Sequence, residues 1–174
     1  PSGREFIDTA RVASKKKPIV AVKSGVTQAG SRAVSSHTGS LAGSEQAYAA
    51  AFKQAGIIRA HTMEQLFDFA RAFAYQPLLK GDRIAIITNA GGPGILATDA
   101  IERSGLKIAR FDNETIKKLE SYLPDAASAA NPVDVLGDAA GDRYEYAIDV
   151  VSQDPNVDGI LVVLTPQALT DIVG

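Results

Sequence analysis

His37 is one of only two histidines in the chain, and it sits in the run Ala33-Val34-Ser35-Ser36-His37-Thr38-Gly39-Ser40-Leu41-Ala42-Gly43-Ser44, where nearly every neighbour is small or carries a hydroxyl. Imidazole is largely neutral and nucleophilic near pH 7, so a histidine so placed can take up a phosphoryl group. The hydroxyls of Ser36 and Thr38 and the bare backbone of Gly39 let a phosphate come close. Ser44 has the side chain of a helix N-cap, so the loop runs into a helix N-terminus, whose unpaired N–H groups and positive dipole end favour anions. The alternative for His37 is an exposed, locally bonded loop side chain. His61, between a short strand and the next helix cap, has no comparable surroundings and reads as structural.

A second cluster is Thr88-Asn89-Ala90-Gly91-Gly92-Pro93-Gly94, which follows the apolar run Arg83-Ile84-Ala85-Ile86-Ile87-Thr88 and precedes a helix through Ile95, Leu96, Ala100 and Ile101. A glycine turn after a strand bares backbone amides where open α/β sheets bind anions, making Asn89, Gly91, Gly92 and Gly94 candidate phosphate-binding residues. The spacing fits neither a dinucleotide fingerprint nor a P-loop, and a tight turn without a ligand is the competing reading. In Asn131-Pro132-Val133-Asp134, Asn131 and Asp134 are expected to bond backbone and set an irregular turn; Asp134 or Asp138 as a general base is the other option.

The composition narrows the chemistry. Zero cysteines among 174 residues exclude disulfides, thiolate catalysis and cysteine-ligated metals, and two histidines exclude a histidine-rich metal site, so no metal ligands are assigned. With 18 basic and 20 acidic residues the charge is nearly balanced, and Lys15-Lys16-Lys17 reads as a solvated helix end; a nucleic-acid partner is not expected. Neither a membrane-length apolar run nor a secretion signal is present, which leads to the expectation of a cytoplasmic protein without a membrane partner. Because the chain starts at Pro1 without methionine and stops after a strand-like run, it is expected to be a piece of something larger.

The elements that must position these residues alternate. Residues 4–14 have helical spacing, Pro18 to Val22 is a buried-strand run, Lys23 to Gly43 is expected to be a long loop, and Ser44 opens a helix ending at Gly56. A short strand at Ile57 to Ala60 precedes a helix capped by Thr62, whose stripe Met63, Leu66, Phe67, Phe69, Ala70 and Phe73 is expected in the core. Pro77 and Gly81 break the pattern near Gln76 to Gly81. Beyond the glycine turn come a strand at Leu106 to Phe111, a helix capped by Asn113, a helix from Tyr144 to Val151 and a buried strand at Gly159 to Leu164. The expected fold is α/β: two flavodoxin-like parallel-sheet units with helices on both faces, the first incomplete, divided as residues 1–76 and 77–174.

Lys23-Ser24-Gly25, Ser36 to Gly43, Thr88 to Gly94 and Asn131 to Asp134 together closely resemble the NDP-forming acyl-CoA synthetases, among which are the ADP-forming acetate–CoA ligases, related to succinyl-CoA synthetase. The resemblance covers essentially the whole chain. It implies that residues 1–76 close a succinyl-CoA-ligase-like flavodoxin domain bearing the phosphohistidine loop, and that 77–174 form a second, ligase-CoA-like one. It further implies conversion of acyl-CoA, phosphate and ADP into acid, CoA and ATP, with His37 as the residue phosphorylated by an acyl phosphate. The Asn89 to Gly94 turn resembles the one before one of two helices whose N-termini point at the phosphohistidine, and the glycines at 25, 30, 39 and 43 would let the loop move. No tightly bound cofactor is implied; CoA, ADP or ATP, phosphate and Mg²⁺ serve the complete enzyme, an oligomer in which CoA-binding and ATP-grasp domains or a further subunit complete the machinery, and this piece alone would not turn over. Two readings compete: a non-catalytic module sensing acyl-CoA or nucleotide, fused to a protein acetyltransferase, and a flavodoxin-like cofactor binder.

Overall fold

The computed structural model describes residues 2–27, 29, 30, 32, 34, 44–167 and 170. The chain divides into two compact units, Pro1–Leu78 and Leu79–Gly174. None of the helices among the described residues is long and apolar enough to cross a membrane.

The first unit holds α1 (Gly3–Ser14), β1 (Val20–Val22), α2 (Glu45–Ala55), β2 (Ile58–Ala60) and α3 (Met63–Tyr75). Its helix ends follow from local chemistry. Ser2, Ser44 and Thr62 each accept, through the side-chain oxygen, the N–H three residues on, and Gly56 closes α2 in the left-handed region at φ 69°. Gln65, at the third helical position, reaches back past the cap and accepts the His61 N–H at 2.9 Å. β1 and β2 pair in parallel, Val20 with Ile58 and Val22 with Ala60. Ala10 of α1 packs with Phe52, Ala55 and Ile57 to make a small core.

Two expectations for this unit are corrected. The stretch from Lys23 to Gly43 is not loop throughout: Ala29, Gly30, Arg32 and Val34 are helical. Thr27 starts that turn by accepting the Gly30 N–H on its hydroxyl at 3.1 Å, so a cap defines a helix start that no apolar period announces. The apolar stripe of α3 is not core either. No residue of α3 is buried, and Met63 and Phe67 are more than half exposed. The helix is apolar on more than one face, and the two-stranded sheet covers only part of it.

The second unit runs β3 (Arg83–Thr88), α4 (Gly91–Arg103), β4 (Lys107–Ile108), α5 (Asn113–Tyr122), β5 (Val133–Asp134), α6 (Gly141–Ser152) and β6 (Gly159–Val163). All its strand pairs are parallel, and β3 is the hub, pairing with β4, β5 and β6. The near-continuous apolar run of β3 follows from burial on both faces. Ala85 and Ile87 pack with Leu119, Ala147 and Val151 of α5 and α6, while Ile84 and Ile86 pack with Ile101 of α4. At the strands' starting end Arg83 grips Asp158, Nε to Oδ2 at 2.8 Å and Nη2 to Oδ1 at 3.0 Å, and this fork ties β3 to the entry of β6.

Three local expectations shift here. α5 is capped by Asp112, whose Oδ1 accepts the Glu114 and Thr115 N–H groups, and not by Asn113, its first helical residue. The strand expected from Leu106 to Phe111 pairs only over Lys107–Ile108. β6 is not buried: Leu161 and Val162 are each about two-fifths exposed, because among the described strands it pairs only with β3 and forms the sheet edge.

Candidate functional site

The carboxyl ends of β3, β5 and β6 form one edge of the second unit, which is where parallel α/β sheets receive ligands. Here β3 passes through Asn89 and Ala90 directly into α4. The helix begins at Gly91, four residues before the Ile95 start that the glycine content suggests, so Gly91, Gly92, Pro93 and Gly94 are its first turn and not a separate loop. Pro93 fits because a first-turn residue has no helical partner for an N–H. Ala90, the N-cap, offers no side-chain hydrogen bond, and the first intrahelical bond is Gly94 N–H to Ala90 O at 3.1 Å. The amides of Gly91 and Gly92 therefore precede the ladder, and both residues are exposed. A methyl group on Gly92 would meet nothing within 4 Å.

The other two candidates in this cluster are built in. Gly94 is buried, and a Cβ there would come within 3.0 Å of Thr88 Cγ2 and 3.6 Å of Pro132 Cβ, so the glycine lets α4 sit against the end of β3. Asn89 is 2% exposed. Its Oδ1 accepts the Thr165 N–H and hydroxyl, each at 2.9 Å, and its Nδ2 donates to Thr165 O at 2.9 Å and Thr170 Oγ1 at 3.2 Å. Both lone pairs and both protons of the carboxamide are engaged, which leaves no group on that side chain for a ligand.

The wall beside Gly91 comes from the β5 exit. Asp134 Oδ1 accepts the Leu136 N–H at 2.9 Å, and its Oδ2 lies 3.9 Å from where a Cβ on Gly91 would stand. Leu136 has a positive φ of 71°, and Gly137 follows so closely against Gln167 that a Cβ there would fall 2.3 Å from Oε1. Asp138 is bound by Arg143, which holds its carboxyl below the usual carboxylate range, while Arg143 also donates to Val135 O at 3.0 Å. Asp138 thus has a structural partner, and Asp134 sets the turn expected of it. Tyr144 donates to Val163 O at 3.2 Å, and burial pushes its hydroxyl pKa up.

His37, with Ser36, Thr38 and Gly39, lies outside the described residues. Elsewhere in the first unit, Lys23 places its ammonium 4.9 Å from the Tyr48 ring centroid, and Glu45 pairs with Arg59, whose hydrogen bond lowers the Glu45 pKa. His61 is exposed, and its backbone serves the α3 cap. Sequence reasoning missed Thr165, Gln167 and Thr170. They stand 76 to 81 positions from Asn89 and carry no motif of their own.

A parallel sheet wound by helices on both faces, with a glycine-started helix at its carboxyl edge, defines a flavodoxin-like α/β fold. Residues 1–73 match the succinyl-CoA ligase like flavodoxin domain, and residues 84–170 match the ligase-CoA domain. The chain belongs to the NDP-forming acyl-CoA synthetase family. It is 50% identical over 161 residues to acetate–CoA ligase (ADP-forming) II subunit alpha of Pyrococcus furiosus, covering 92% of this chain and 35% of the relative. With the 4-hydroxybutyrate–CoA ligase (ADP-forming) of Nitrosopumilus maritimus it shares 41% identity over 166 residues, 94% of this chain and 24% of that one. Among solved structures, the dinucleotide forming acetyl-coenzyme A synthetase 1 of Ca. Korarchaeum cryptofilum in complex with phosphate and ADP superposes with a TM-score of 0.85 at 39% identity, over 97% of this chain and 36% of that one. The chain thus spans between about a quarter and just over a third of the length of these relatives.

Proposed function

We propose that this chain is part of an ADP-forming acyl-CoA synthetase that makes ATP, free acid and CoA from acyl-CoA, phosphate and ADP, with His37 as the phosphoryl carrier. The observation that carries this is the joint presence, in one chain of this family, of the Ser36-His37-Thr38-Gly39 segment and an exposed, uncapped helix start at Gly91-Gly92. Relatives named as acetate–CoA and 4-hydroxybutyrate–CoA ligases, both ADP-forming, support the reaction class.

The chemistry runs in three balanced transfers. A phosphate oxygen attacks the thioester carbonyl and the CoA thiolate leaves, giving acyl phosphate. The imidazole of His37 attacks phosphorus, the bond to the acyl oxygen breaks, and the carboxylate departs. A terminal oxygen of ADP then attacks the same phosphorus and the N–P bond breaks, which returns neutral imidazole. Ser36, Thr38 and Gly39 are the sequence neighbours that supply hydroxyl and amide groups to the carrier, and the Gly91 and Gly92 N–H groups offer a phosphate-binding helix start. Asn89 and Gly94, in the same cluster, serve this end of α4 by holding it in place.

Residues 1–76 act as the closing part of a succinyl-CoA-ligase-like domain and 77–174 as a ligase-CoA-like one. CoA-binding and ATP-grasp parts come from elsewhere in an oligomeric, cytoplasmic enzyme. Mg²⁺ would serve the nucleotide of that complete enzyme. Incubating the complete enzyme with labelled phosphate and acetyl-CoA should give an acid-labile protein label that His37→Ala abolishes. Undiminished labelling of that variant would overturn the reading.

A further inference from the structure

We propose that Asn89 is a positioning residue for phosphate binding, acting on the Gly91-Gly92 amides through a tether to Thr165, Thr170 and Gly137; the proposal rests on the phosphate role given above to the α4 N-terminus. Hydrogen-bond direction along the tether is determined throughout. The Asn89 carboxamide pairs with the N–H and C=O of Thr165 as a strand residue would, both at 2.9 Å. Thr170 Oγ1 accepts from Asn89 Nδ2 at 3.2 Å, so its own proton is available for Gly137 O at 3.1 Å. The Asn89 carbonyl in turn accepts from Gln167 Nε2 at 3.1 Å. One buried amide thereby locks the exits of β3, β5 and β6 together.

This matters for the two exposed amides because glycine is the residue least able to hold its own backbone direction. Two N–H groups bind an anion well only when both stay aimed at it before it arrives. Gly91 and Gly92 are restrained on the far side by Gly94, packed against Thr88 and Pro132, and on the near side by Asn89 two residues away. Thr170 lies further along the same tether. Loss of its hydroxyl should loosen the near-side restraint without removing any group offered to phosphate.

The test uses the complete enzyme and the variants Thr170→Val, Thr170→Ser and Asn89→Ala, with phosphate-dependent acetyl-CoA cleavage followed against both phosphate and acetyl-CoA and with thermal unfolding measured alongside. One hydrogen bond's worth of preorganisation corresponds to a rise of about fivefold in half-saturating phosphate for Thr170→Val, and a larger rise for Asn89→Ala. Half-saturating acetyl-CoA should stay constant, and Thr170→Ser, which keeps the hydroxyl, should behave as the unmodified enzyme. A folded Thr170→Val with unchanged phosphate dependence overturns the proposal even if Asn89→Ala fails to fold. If the unmodified enzyme labels at His37 in that case, the phosphohistidine reading stands and only the tether falls. If it takes up no label, both fall.

Discussion

The side chain of Asn131 takes the place of a missing strand residue beside Ile86: its Oδ1 accepts the Ile86 N–H at 2.9 Å, and its Nδ2 donates to Ile84 O and Ala109 O, each at 2.9 Å. The reason lies in how β3 is shared. β6 pairs along one edge of β3 from Ile84 to Thr88, so β4 at Arg83–Ile84 and β5 at Ile87–Thr88 divide the other edge. Ile86 falls in the gap between them, and Asn131, which precedes Pro132 across a cis peptide, fills it.

Asn131→Ala should leave the buried Ile86 N–H and the Ala109 carbonyl without the Asn131 side chain, with Ile84 O still held by the Ala109 N–H, and destabilise the chain by about 1–3 kcal/mol, read as a lower urea midpoint. Asn131→Asp should cost a similar amount, because a carboxylate facing the Ile84 and Ala109 carbonyls replaces two donors with acceptors.

The glycines at the start of α4 should separate by role. Gly94→Ala places a methyl 3.0 Å from Thr88 Cγ2 in a packed corner and should destabilise by about 1–2 kcal/mol. Gly92→Ala meets open space and should change stability by no more than about 0.5 kcal/mol. Equal losses in urea unfolding would contradict this division.

The Arg83 side chain, followed by the Arg83 backbone N–H, holds the Asp158 carboxyl down to about 2. A folded-state pKa below the ordinary value of about 4 means that the stabilisation is complete above that pH and is lost as pH falls toward 2. Asp158→Asn lacks this term. Unfolding midpoints of the two proteins should therefore differ most at neutral pH and converge between pH 4 and pH 2; a gap independent of pH would show that the carboxylate's charge contributes nothing.

Gly56 closes α2 with φ 69°, and a Cβ there would stand 3.0 Å from Ser14 Oγ. Gly56→Ala should lower stability by about 1 kcal/mol through the left-handed strain alone. Gly56→Asn, which tolerates that region better, should recover part of the loss in the same thermal melt.

Much of the architecture is legible along the chain because its signals act over a few residues. Ser44 and Thr62 cap where their hydroxyls reach the N–H three positions on, Gly56 stops α2, and the unbroken apolar run from Ile84 to Ile87 announces a strand buried on both faces. Apolar pattern alone could not tell whether a stripe finds a partner. The same kind of pattern predicts core for α3 and for β6, yet Phe67 and Val162 remain exposed because helix and strand are covered only in part. Nor could it detect the helical turn at Ala29 and Gly30, whose signal is a single threonine cap.

At the candidate site, residue types along the chain limit the chemistry within reach: a nucleophilic histidine among hydroxyls and glycines, and a glycine-rich start to a helix after a buried strand. The division of labour in the second cluster emerges with the fold. Gly91 and Gly92 stay open, Gly94 packs against Thr88 and Pro132, and Asn89 turns inward to Thr165 and Thr170. Distance along the chain accounts for this. A carboxamide can act as ligand or as tether with the same atoms, and the partners that settle its role, 76 and 81 residues away, reach it only when β3 and β6 lie side by side.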